Sequence, residues 1–205
     1  MNIQQNTCDE AEGAKESAAI TGVIGKDSAQ LDSTISDTSQ ALLSAGYNIL
    51  GMVQERGKKR AGCAHREMRL RDLVTGQITI ISESRGEQAR GCHLDRAALL
   101  EHAKQFELRI SDMPELVIIN RFGRAECEGS GFRSAIELAV SLNIPVLVGV
   151  SSNYHDSWKE FHGGLADETG LSSVEIINWF ESLQATKVTV LALDAGVDLG
   201  IENIG

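Results

Sequence analysis

Leu116-Val-Ile-Ile-Asn120 and Pro145-Val-Leu-Val-Gly-Val150 are near-continuous apolar runs. A strand that is apolar on both sides is one covered on both faces of a sheet. Between the two runs, Phe132, Ala135, Ile136, Ala139 and Val140 fall at i, i+3, i+4, i+7 and i+8, which predicts an amphipathic helix. Strand, helix, strand in this order is the repeating unit of a parallel sheet. The same reading extends upstream. Residues 18–24 (AAITGVI) and 47–54 (YNILGMVQ) predict two more buried strands. They flank a helix over residues 28–45 that carries Leu31, Ile35, Leu42 and Leu43 and stops at Gly46.

Residues 65–82 break the rhythm. Met68, Leu70 and Leu73 precede Thr75-Gly76, and Ile78, Ile80 and Ile81 follow, which predicts an inserted β-hairpin turning near Gly76. Arg69 and Arg71 alternate onto its other face. Asp95 caps a helix with Leu99, Ala103 and Phe106 on one side. A short helix is expected around Trp158–Phe161, then a break at Gly163-Gly164. Ser172 and Glu175 form a capping box for a helix running to about residue 183. Residues 187–193 read as a last strand. The expected architecture is an α/β three-layer sandwich with a mostly parallel central sheet and the inserted hairpin. It occupies one domain over residues 18–193, between a polar tail at 1–17 and a C-terminal tail at 194–205.

The 205-residue chain is 42% hydrophobic, enough for a core and too much for a disordered polymer. No run approaches the roughly 18 apolar residues of a membrane span, and the N-terminus lacks the basic and apolar regions of a signal peptide. The expectation is a cytoplasmic protein that binds no membrane. Its four cysteines are then thiols. Aromatic residues at 4% and a net charge of −10 speak against nucleic acid as a partner. The charge is uneven. Seven basic residues stand against three acidic ones between Glu55 and Asp72, a basic island in an acidic chain. It reads either as a solvated loop or as a local site for a small anion.

Three segments carry chemistry. Gly22-Val-Ile-Gly25-Lys26-Asp27-Ser28 lies where the first strand meets the first helix. Glycines there let backbone N–H groups converge on a phosphate, while a lysine and a hydroxyl serve its charge and its magnesium. Position 20 is Ile where the phosphate-loop pattern has Gly, and Asp27 stands where it has Ser or Thr. The same residues also make an ordinary helix-capping turn. The second segment is Asn120-Arg121-Phe122-Gly123-Arg124-Ala125-Glu126. A hydrolysing enzyme of this type ends the strand in acids that hold magnesium and activate water. Asn120 and Arg121 can do neither, which leaves Glu126 as the nearest catalytic candidate. The third is Cys63-Ala-His65 with Cys92-His93. These four are weak zinc-ligand candidates, because adjacent side chains rarely converge on one metal. Arg69 and Arg90 nearby favour a thiolate, or hold a tetrahedral oxyanion alongside Cys63 and Cys92, and the same cysteines also read as plain loop residues.

GMVQERGKKRAGCAHREMRLRDLVTGQITIIS, GEQARGCHLD, LVIINRFGRAECEGSGFRSAI, IPVLVGV and WKEFHGGLA together resemble the bacterial domain-of-unknown-function 2478 family over about residues 18–182. The layout is also similar, more distantly, to the small P-loop nucleoside triphosphatases of thermophiles. In those proteins the second segment ends in Asp-Glu-x-Gly-x-x-Glu. Here Asn120 and Arg121 replace the two acids, while Gly123 and Glu126 match. The resemblance implies a P-loop-type fold, and genes of the first family often stand beside those of molybdate transport or molybdoenzymes. Three readings follow. In the first, a non-hydrolysing protein binds a small anion such as molybdate, or a nucleotide with magnesium, through Gly25, Lys26, Ser28, Cys63, Arg69, Arg90, Cys92 and Asn120. In the second, a magnesium-dependent nucleoside triphosphatase uses Lys26, Ser28 and Glu126. In the third, an accessory protein works through metal or redox chemistry at Cys63 and Cys92. A homo-oligomer is compatible with each.

Overall fold

The computed structural model describes residues 20–59, 66–83 and 93–194. In chain order the elements are β1 (Ile20–Gly25), α1 (Ser28–Ser44), β2 (Ile49–Lys59), β3 (Arg66–Asp72), β4 (Ile78–Ile80), β5 (Ser82–Glu83), β6 (His93–Leu94), α2 (Arg96–Ile110), β7 (Leu116–Phe122), α3 (Arg124–Cys127), α4 (Arg133–Ser141), β8 (Val146–Ser151), α5 (His155–His162), β9 (Asp167–Thr169) and α6 (Ser173–Asp194). Among the described residues, seven strands form one sheet in the order β4-β3-β2-β7-β8-β1-β9. The five strands from β2 to β9 are mutually parallel, and the hairpin strands β3 and β4 continue the sheet antiparallel. The expected three-layer α/β sandwich with an inserted hairpin is therefore present.

The apolar runs find the burial they require. Every residue of β8 is buried, as are all of β7 except Arg121. One face of the sheet packs Val23, Ile118 and Leu147 against Leu31 and Ile35 of α1 and Ile176 and Phe180 of α6. The other packs Val117, Ile119 and Val148 against Phe106 of α2, Ile136 of α4 and Trp158 of α5. Two close approaches need glycine. A Cβ on Gly22 would lie 2.6 Å from the Trp158 indole nitrogen, and one on Gly149 would overlap the Asn120 carbonyl oxygen.

The hairpin turn is built by Asp72, whose carboxylate accepts from Val74 N at 2.8 Å and Thr75 N at 2.9 Å. Two expectations need correction. Residues 187–193 are not a strand: α6 runs on to Asp194. Val188 and Val190 suggested β structure, but no Gly or Pro lies between Ser172 and Asp194 to stop the helix. Thr186 and Thr189 also turn their hydroxyls back onto carbonyls one turn upstream. The final edge strand is instead β9, three residues beside β1. β2 is also longer than its apolar run, because beyond Gln54 it is carried by pairing with β3.

Candidate functional site

Consecutive strands at the centre of the sheet send their chains to opposite faces. β1 leads into α1 on one side, and its neighbour β8 leads into α5 on the other. Such a point opens a crevice at the carboxyl ends of the strands, where α/β proteins bind ligands. Gly25 and Ser151 stand side by side there, with the end of β7 next to them.

Only Lys26 and Asp27 separate β1 from α1. Asp27 is the N-cap, and its carboxylate accepts from Ala29 N at 2.7 Å and Gln30 N at 3.1 Å. Those amides are the ones a phosphate loop would aim at its anion, and the chain's own carboxylate occupies them. Lys26 is exposed beside it. Ser28 accepts from Arg121 Nη1 at 3.1 Å, and its carbonyl accepts from Nη2 at 3.1 Å. Asp32, one helical turn further on, accepts from Arg121 Nη2 at 2.8 Å and from Asn120 Nδ2 at 2.7 Å. Ser28 and Asn120 are thus brought together, through Asp32 and Arg121. Asn120 is 2% exposed, and its Oδ1 is buried with no hydrogen-bond partner among the described residues.

Glu126 is also drawn inward. Its carboxylate accepts from Gly123 N at 2.9 Å and Phe132 N at 3.0 Å, bracing the loop between β7 and α4. Burial pushes its carboxyl above the ordinary range, against the pull of those N–H groups. With both oxygens committed to backbone, this carboxylate is a loop brace and is badly placed to activate water.

Arg69 is on β3, four strand positions from β1, which is roughly 19 Å at ordinary strand spacing. It is paired with Glu67 at 2.6 Å, and Arg71 is paired with Glu55. The basic ribbon and the glycine-lysine corner nevertheless share one edge of the sheet, because β2 runs parallel to β7 and continues to Lys59, past the level where β7 ends. Cys63, His65, Arg90 and Cys92 lie outside the described residues, and His93 falls in β6. Among the described residues, no three His, Cys, Asp or Glu side chains cluster so as to hold a metal, and no helix is long and apolar enough to cross a membrane.

Sequence reasoning missed Asp32. Its signal was the spacing: Ser28 and Asp32 are four apart, so one helix face presents both to the same strand end. Arg121, which has no role to offer in hydrolysis, is the group that ties α1 to β7.

Known proteins bear on this arrangement. The molybdenum import ATP-binding protein ModC 2 of Bradyrhizobium diazoefficiens is 32% identical over 146 residues, 71% of this chain. That stretch is 16% of ModC 2, so the chain spans about a sixth of that relative. THEP1 from the hyperthermophile Aquifex aeolicus aligns at a TM-score of 0.49 with 17% identity, over 80% of this chain and 94% of its own. A human cancer-related nucleoside triphosphatase aligns at 0.44 with 12% identity, over 82% of this chain and 94% of its own. Residues 20–179 match the model of the protein of unknown function family DUF2478, and the chain belongs to that family.

Proposed function

We propose that this chain is a non-hydrolysing binding protein for a small anion or nucleotide, serving as a cytoplasmic accessory in molybdenum metabolism. The observation that carries the reading is the Ser28–Asp32–Asn120–Arg121 network. A phosphohydrolase needs an acid at the end of β7 to hold magnesium and another to activate water. Here that strand end supplies an amide and a guanidinium, and the guanidinium is already neutralised by Asp32. Glu126 is spent on backbone amides.

Asp27 fills the α1 N-terminus, so an anion at this edge rests on side chains, Lys26 first. A tetrahedral oxyanion suits such charge-assisted donors. Molybdate is the anion to try first, because the relative sharing a third of its aligned residues is a molybdenum import protein. A phosphate-release assay with ATP and GTP in magnesium tests the first half of the reading, and no release above the buffer rate is expected. A thermal-shift screen with molybdate, tungstate, phosphate and nucleotides tests the second. A true ligand at about 100 times its dissociation constant stabilises the fold by roughly 2.7 kcal/mol.

A further inference from the structure

His162 closes α5, and the chain then wraps around its imidazole. Gly163 and Gly164 take positive φ angles of 57° and 90°. His162 Nδ1 accepts from Gly164 N at 3.1 Å and from Ala166 N at 3.2 Å. The remaining amides of this turn go to carbonyls: Gly163 N to Lys159 and Leu165 N to His162 itself. An imidazole nitrogen that accepts two N–H groups carries no proton, so the ring hydrogen sits on Nε2. Nε2 is buried with no partner among the described residues, and the ring lies 5.1 Å from that of Trp158. Directly after this turn, β9 pairs three residues with Thr21, Gly22 and Val23 of β1, and Leu171 then packs on Gly25.

We propose that His162 is an acid-sensitive pin: neutral, it holds residues 163–166 and through them β9 against β1, and its protonation releases both. A proton on Nδ1 would face two N–H donors, so the turn must come apart to separate like charges and find new acceptors. Burial disfavours the charged ring. The neighbouring charges divide. Glu168 of β9, itself held by His155 at 2.8 Å, favours protonation, whereas His155 and Lys159 of α5 oppose it. From α4, Arg133 sits over Phe161, and Arg124 of α3 bonds Glu128, the residue that caps that helix. Release would bare the edge of β1 and lift Leu171 from the carboxyl end of that strand, the end that forms the crevice.

The test is hydrogen exchange of the Gly164, Ala166 and β9 amides in the full chain from about pH 7.5 to about pH 5, corrected for intrinsic rates, with the imidazole followed by NMR. Protection should fall by up to about tenfold for each pH unit from the ordinary imidazole value of 6.5 down to the His162 titration, while β7 and β8 stay protected. In His162→Gln, which cannot titrate, protection should not change with pH. In Glu168→Gln, the titration and the loss of protection should move together to lower pH. The proposal is overturned if protection stays constant while the imidazole titrates. It is equally overturned if His162→Gln loses protection at the same pH as the parent chain.

Discussion

Arg121 at the end of β7 holds Asp32 of α1 at 2.8 Å, and Asn120 donates to the same carboxylate oxygen at 2.7 Å. Helix and strand are thus locked by charge at the carboxyl end of the sheet. Side-chain exposures of 14% for Asp32 and 28% for Arg121 make the pair partly desolvated. Losing either partner leaves the other poorly solvated.

Arg121→Ala and Asp32→Ala should each destabilise the fold by about 1–3 kcal/mol in urea unfolding. The double variant should lose less than the two together, with a coupling of about 1 kcal/mol. Strict additivity would show that the pair does not act as a unit.

Asp27→Ala should cost about 1 kcal/mol, because Ala29 N and Gln30 N lose their acceptor. Asp27→Ser retains a cap without the charge. It should stay near the parent stability and bind sulfate more tightly than the parent does, as equilibrium titration would read. Unchanged sulfate affinity would mean that the carboxylate is not what keeps anions from the helix N-terminus.

Gly22→Ala presses a methyl group onto the fully buried Trp158. The indole has no free end to yield, so a loss of about 1–3 kcal/mol is expected, with a changed tryptophan emission. A neutral substitution would refute this packing of α5 on β1.

Stability should respond to acid through Asp72. Burial pushes its carboxyl up, but the Arg109 guanidinium and the Thr75 and Val74 amides outweigh that and bring it below the ordinary 3.8. Its contribution is complete above 3.8 and is lost as pH falls through the lower folded value. Asp72→Asn should therefore flatten the acid limb of a stability profile. Glu126 acts in the opposite sense. Raised above 4.5, it contributes fully below that value and less as pH rises through the folded one. Glu126→Gln should remove that decline.

Much of the sheet was legible because hydrophobic patterning is local. Leu116–Asn120 and Pro145–Val150 read as buried strands without knowledge of their neighbours, and Asp95 declared its helix. The edges were not legible, because pairing decides them. Nothing apolar marks Asp167–Thr169, which is a strand only because β1 has an open edge. Val188 and Val190 resemble a strand yet continue a helix that nothing interrupts. At the site, the residue types pointed away from hydrolysis, but the network that occupies the corner joins positions 28, 32, 120 and 121. That proximity is set by the sheet order, not by any motif. Asp27 was legible as a misfit to the phosphate loop, and the two hydrogen bonds to Ala29 and Gln30 give the physical reason.

Calorimetric titration of the full chain with molybdate and with magnesium nucleotide, with released phosphate read on the same samples, addresses binding without turnover most directly. Saturable heat from at least one of these ligands, weakened in Lys26→Ala and unaccompanied by phosphate release, is the predicted result. No heat from either, or steady magnesium-dependent phosphate release that Lys26→Ala abolishes, would contradict it.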